Sequence, residues 1–170
     1  MAVIFSLMKK TNAMRILDSA KITYQTVEYS DDGEHELERG AAEATAAKLG
    51  IPPEIVFKTI VMRTESKEIC VFCQSAMCEI NLKKARNAAG ASEITPVKPA
   101  ELLQLTGYVR GGCSPIGMRR QYRTFIDRQA LEFEKIYISA GVRGQNIIIS
   151  PADLVSVTKA QVCDLTLENL

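Results

Sequence analysis

The chain has one histidine, His35, in 170 residues, and its formal net charge is only +1. The first scarcity leaves a serine or cysteine nucleophile without the base it normally needs and excludes a histidine-based metal site. The second removes any whole-molecule attraction to nucleic acid, so an RNA contact must come from a local patch. No low-complexity stretch, internal repeat or linker interrupts the pattern, and no apolar run reaches membrane-spanning length. The five cysteines, Cys70, Cys73, Cys78, Cys113 and Cys163, are odd in number and lie mostly in apolar surroundings, as reduced thiols do. The expected compartment is the cytoplasm.

With 46% hydrophobic and 24% charged residues the chain has the composition of a single globular domain with a core of its own. Residues 1–7 are apolar but lack a preceding basic region, and Lys9 and Lys10 cut the run short of an anchor or signal peptide. Because MKKTNAMRILD from Met8 reads like an ordinary cytosolic start, residues 1–7 are expected to be an upstream extension and 8–170 the domain.

Thr11 or Asn12 caps a first helix running to about Lys21, followed by a β-branched strand over 22–29. An acidic, glycine-bounded loop precedes an alanine-rich helix that ends at Gly50. Residues 55–63 and 69–74 read as a hairpin joined by the polar turn TESKE. Helices are expected over 81–89 and after Pro99, then short strands over 108–110, 123–127, 135–140 and 146–150, and a last helix opened by Pro151. The fold class is α/β in a single domain, with a mixed β-sheet or partly closed barrel surrounded by helices and no regular βαβ repeat.

Lys58 stands out in EIVFKTIVM, where a period of two puts it on one face with Val56, Ile60 and Met62. Burial there lowers a lysine's pKa, while a substrate phosphate or carbonyl oxygen favours the charged form. An edge-strand lysine guarding against aggregation would carry the same pattern. In GYVRGGCSPIG, residues Gly111, Gly112 and Gly117 permit tight turns and close approach of backbone N–H groups to a ligand, and Pro115 stiffens the loop. Such a loop can bind an oxyanion or carbonyl oxygen, or merely connect strands. Cys113 and Ser114 have no evident base. Cys70 and Cys73 form a CxxC, but residues three apart on a strand face opposite ways, which suits core packing better than chelation.

Basic residues cluster at Lys83, Lys84 and Arg86, and at Arg119, Arg120 and Arg123 directly after the glycine loop, where they could meet RNA phosphates. Tyr108 and Tyr122 could stack on bases or simply pack.

The segments VFKTIV, NLKKA, TGYVRGGCSPIGM and FEKIYISAGVRGQNIIISPADL occur in the order that identifies the chain as similar to the YbaK/EbsC family. These are free-standing Cys-tRNA(Pro) deacylases related to the editing domain of bacterial prolyl-tRNA synthetases. The resemblance covers residues 8–165. It implies an aminoacyl-tRNA editing fold, no cofactor, no metal, and hydrolysis of the ester joining a wrong amino acid to the tRNA 3′ end. It makes Lys58 of FKT the essential cation, with Thr59 beside it. It carries the substrate-binding GxxxP loop onto Gly111, Gly112, Ser114 and Pro115, continued to Gly117, and a pocket tyrosine onto Tyr29. Where some members have aspartate, this chain has Asn146, so an acidic role there does not carry over. The cysteine substrate's own thiol would attack its ester. The alternatives are a deacylase for another small amino acid, such as Ala-tRNA(Pro), using water, or a non-catalytic module that binds a tRNA end or nucleotide. Mischarged tRNA and, transiently, prolyl-tRNA synthetase are the implied partners.

Overall fold

The computed structural model describes residues 9–31 and 40–167. Residues 1–7 and His35 lie outside them. Helix α1 (Asn12–Ser19) starts where Thr11 accepts a hydrogen bond from Met14 N, and it buries Ala13, Met14 and Leu17. It leads to strand β1 (Gln25–Glu28), shorter than the 22–29 expected. Helix α2 (Ala41–Leu49) ends on Gly50 at φ 67°, followed by a 3-10 turn at Pro53–Ile55. The hairpin is present as β2 (Phe57–Thr64) and β3 (Ile69–Ser75).

Helix α3 (Leu82–Ala89) is capped by Asn81, whose side chain accepts from Lys83 N and Lys84 N. Strand β4 (Ile94–Pro96) and helix α4 (Pro99–Thr106) follow. The rest comprises β5 (Arg123–Asp127), β6 (Ile136–Ser139), β7 (Gln145–Ile149), α5 (Pro151–Thr158) and β8 (Gln161–Cys163). The short strands β4 and β8 had no distinct sequence pattern. Residues 108–110, expected as a strand, form no strand. Tyr108 N donates to Thr106 Oγ1 and Gly112 N to Val109 O, so local turns take up the backbone groups a sheet would need.

Among the described residues the strands form two open sheets rather than a barrel. The five-stranded sheet has the order β4-β2-β3-β5-β8, antiparallel from β4 to β3 and parallel from β3 to β8. The antiparallel three-stranded sheet has the order β1-β7-β6, and a parallel bridge between Val56 and Tyr137 joins the two. Helices pack outside, giving a mixed α/β domain.

Central β3 is buried on both faces, which explains its unbroken run ICVFCQS. Cys70 joins Met62, Phe72, Phe125 and Ala85 in one cluster, whereas Cys73 joins Leu17, Ile126, Ile138 and Ile147 in another, so the CxxC pair faces two different cores. Phe72 and Phe125 stack with centroids 5.1 Å apart. Asp127, fully buried, fastens the parallel edge: Oδ1 accepts from Leu165 N (2.8 Å) and Oδ2 from Gln129 N (3.0 Å).

Candidate functional site

Strand β2 lies inside the five-stranded sheet, but its first half is flanked by β3 on one side and on the other only by the Val56–Tyr137 bridge just before it. Strand β4 pairs only with Met62, Arg63 and Thr64. Val61 O accepts from Val97 N on that edge (3.0 Å), and backbone groups alternate sides, so Thr59 presents its N–H and C=O to the same edge, beyond the reach of β4. The start of α2 and Gly111 stand across this gap.

Lys58 sits at the junction of two cavities. The smaller, about 220 Å³, is walled by Tyr29, Asp31, Thr45, Thr59, Gly111, Ser139, Arg143 and Asn146 among others. The larger, about 830 Å³, adds an apolar wall of Ile60, Val61, Met77, Val97 and Leu102. Drug-sized ligands usually occupy about 300–1,000 Å³, so the first suits only a small group and the second a larger one. Lys58, Thr59, Ala41, Ala42, Ala76 and Gly111 border both.

Among the described residues Lys58 Nζ has no hydrogen-bond or ion-pair partner. Burial pushes its pKa below the ordinary lysine value, and the charge of Glu79 opposes that shift. Its cross-strand partner Gln74 is fully buried, with Nε2 donating to Cys78 O (3.0 Å) and Oε1 left without a partner. A partly desolvated cation thus has its hydrogen-bonding capacity unspent.

The two signature segments form one unit. Gly112 packs so closely on residues 142–143 that a Cβ there would lie 3.0 Å from Arg143 N and 3.0 Å from Val142 C. Arg143 Nε donates to Arg110 O (2.8 Å), tying the segments from the other side. Buried Tyr108 donates from its hydroxyl to Ile116 O (2.6 Å), and its ring fills the space a side chain at Gly141 would need. Gly144 O accepts from Tyr29 N (2.9 Å), so the same unit fixes the pocket tyrosine.

The structure therefore gathers Tyr29, Lys58, Thr59, Gly111 and Asn146 on one cavity. Gly112 lies behind that wall. Ser114 and Pro115 are buried, Ser114 Oγ accepting from Ile116 N, and Gly117 sits against α1, where its carbonyl accepts from Asn12 Nδ2 (2.6 Å). None of these three lines the Lys58 cavities. Nor do the three arginines. Arg123 is held by Glu68 (Nη2 to Oε1, 2.7 Å) and by Ala89 O, and lies over the Phe125 ring. Arg119 lies along Gly107, and Arg120 faces another cavity. Residue-by-residue reading passed over Asp31, Thr45, Ser139 and Arg143. Arg143 had a signal in the AGVRG motif, and α2 had one in the small side chains of Ala41 and Ala42.

No thiol here is poised as a nucleophile. Burial pushes Cys113, on the small cavity, up to about 12, and burial raises Cys78 as well.

The family described as the aminoacyl-tRNA editing domain matches residues 36–157. EbsC of Enterococcus faecalis, provisionally named a Cys-tRNA(Pro)/Cys-tRNA(Cys) deacylase, is 35% identical over 93% of this chain and 94% of its own. A proline–tRNA ligase of Brachyspira hyodysenteriae is 34% identical over 41% of this chain and 12% of its own. A crystal structure described as that of a candidate trans-editing enzyme for prolyl-tRNA synthetase superposes with a TM-score of 0.78, covering 94% of this chain and 99% of that one at 22% identity. That last likeness concerns the fold.

Proposed function

The chain belongs to the aminoacyl-tRNA editing domain family, and from that premise we propose that it clears mischarged Cys-tRNA(Pro), with Lys58 as the cation that holds the reacting ester. As a member it is an aminoacyl-tRNA deacylase, a hydrolase of the ester between an amino acid and the tRNA 3′ end. Such an activity answers a physical limit: cysteine and proline differ little in volume, and a small pocket separates such neighbours by only about 1–3 kcal/mol.

The observation that carries the reading is a desolvated lysine that has no protein partner and no activated nucleophile beside it among the described residues, set between a small polar cavity and a larger apolar one. The small cavity takes the aminoacyl group and the larger one the terminal nucleoside. The substrate's sulfur then attacks its own carbonyl carbon. A carbon–sulfur bond forms, the bond to the ribose oxygen breaks, and that oxygen leaves with a proton. Water later opens the cyclic thioester. The protein holds the thiol near the carbonyl and stabilises charge on the carbonyl or ribose oxygen, tasks suited to Lys58, the backbone of Thr59 and the Gly111 loop.

The tRNA is selected with the help of transiently bound prolyl-tRNA synthetase, in the cytoplasm. Among the described residues no helix is long and apolar enough to cross a membrane. Deacylation across a panel of mischarged tRNAs tests the proposal. Cys-tRNA(Pro) should be cleared far faster than Ala-tRNA(Pro), which has no thiol. Equal rates overturn the substrate-assisted step, and clearance of none overturns the enzyme.

A further inference from the structure

A third cavity, about 600 Å³, opens away from Lys58 and is lined by Arg63, Lys67, Ile69, Leu105, Arg120 and Tyr122. Three of its six walls are cations. Arg63 is fixed by Glu101 through two hydrogen bonds, Nη1 to Oε2 (3.3 Å) and Nη2 to Oε1 (3.1 Å). Tyr122 is fixed by its hydroxyl donating to Leu105 O (2.7 Å). Lys67 and Arg120 are exposed, and neither side chain has an ion-pair or hydrogen-bond partner among the described residues. The acids on neighbouring elements are already engaged: Glu101 with Arg63, and Glu68 with Arg123.

The position matters as much as the charge. Arg63 and Thr59 lie on the same face of β2, and α4 crosses that face. Pro99 and Leu102 of α4 border the large Lys58 cavity, and Leu105 borders this one. Along β2, Lys58 and Arg63 are about 17 Å apart at ~3.4 Å per residue. A single RNA strand of several nucleotides can cover that span.

We propose that Lys67 and Arg120, with Arg63 as their fixed neighbour, bind the sugar–phosphate backbone of the tRNA acceptor end whose terminal residue occupies the Lys58 site. The inference rests on the functional reading above and adds the local patch that a nearly neutral chain needs to hold RNA. Phosphates would meet the two free cations, and the apolar surfaces of Ile69, Leu105 and Tyr122 would face the riboses. Contacts of this kind position the substrate without reading its sequence.

The test is binding of uncharged tRNA to the full-length protein across a salt series, for wild type, a Lys67→Gln/Arg120→Gln double variant and a Lys83→Gln/Arg86→Gln control. The first variant should lower the slope of log affinity against log salt by about 2, one for each lost phosphate contact. The control should leave it unchanged. Arg120→Lys, which keeps the charge, should restore about half of the lost slope when made alongside Lys67→Gln. An unchanged slope in the first variant, an equal fall in the control, or loss of binding to anionic lipid vesicles with none to tRNA overturns the proposal. Uncharged tRNA cannot be deacylated, so this result is independent of the mischarged-tRNA panel. A chain that clears no ester and still loses the slope would retain the phosphate patch and refute only the enzyme.

Discussion

Gly112→Ala separates packing from backbone strain at the site. Gly112 does not have a left-handed φ, so alanine suits its backbone, but the new methyl carbon would lie 3.0 Å from two backbone atoms of residues 142–143, where ordinary contact begins at 3.4 Å. The glycine loop and the 140–144 turn must therefore separate by a few tenths of an ångström, at a cost of about 1–3 kcal/mol typical of overpacking. That movement carries Gly111 and Arg143 away from the Lys58 cavity, and because a misplacement of about 1 Å lowers catalysis about 10²-fold, this smaller shift should lower it by about three- to tenfold. Gly90→Ala is the control. Its φ of 68° penalises alanine by about 1–2 kcal/mol, but nothing lies near the added carbon and the site is remote. Urea midpoints should show both variants destabilised, while single-turnover deacylation should fall only for Gly112→Ala. Wild-type activity in Gly112→Ala, or an equal loss in Gly90→Ala, refutes the claim that these segments set the site's geometry as one unit.

Asp127→Ala strands the N–H groups of Leu165 and Gln129 in the interior and should cost about 2–4 kcal/mol in urea unfolding. A loss under about 1 kcal/mol would mean that β8 does not depend on this fastening. Cys113→Ala should keep deacylation within about tenfold of wild type, because burial holds the thiol protonated. A loss on the order of 10⁶-fold, the scale of removing a serine protease nucleophile, would make Cys113 the attacking group instead.

Much of the site was legible in the sequence because its chemistry conflicts with its surroundings. Lys58 interrupts an apolar strand, and Gly111 opens a turn that local pattern alone can detect. Helix ends were nearly as plain: Thr11 and Gly50 sit at the caps expected of them, and α3 starts one residue after the expected 81, with Asn81 as its cap. What stayed hidden depends on long-range packing. Gly112 looks like a ligand-loop residue, yet its lack of a side chain serves the contact with residues 142–143. Arg123 looks like a free cation until Glu68, far away in sequence, takes it. Thr59 gains an open backbone edge only because β4 stops at Met62. The parallel pairing of β3 with β5 leaves no local trace, since side-chain alternation is the same in parallel and antiparallel strands.

The central claim is that Lys58 acts through its charge. The direct measurement is the pH dependence of single-turnover Cys-tRNA(Pro) deacylation by wild type and Lys58→Arg. Burial lowers the lysine's pKa, so the wild-type rate should fall as pH rises through that lowered value and the charge is lost. Arginine stays protonated and cannot serve as a base, so the variant should remain active and lose this alkaline fall. An arginine variant as inactive as Lys58→Ala at every pH, or one that keeps the same alkaline fall, contradicts the account.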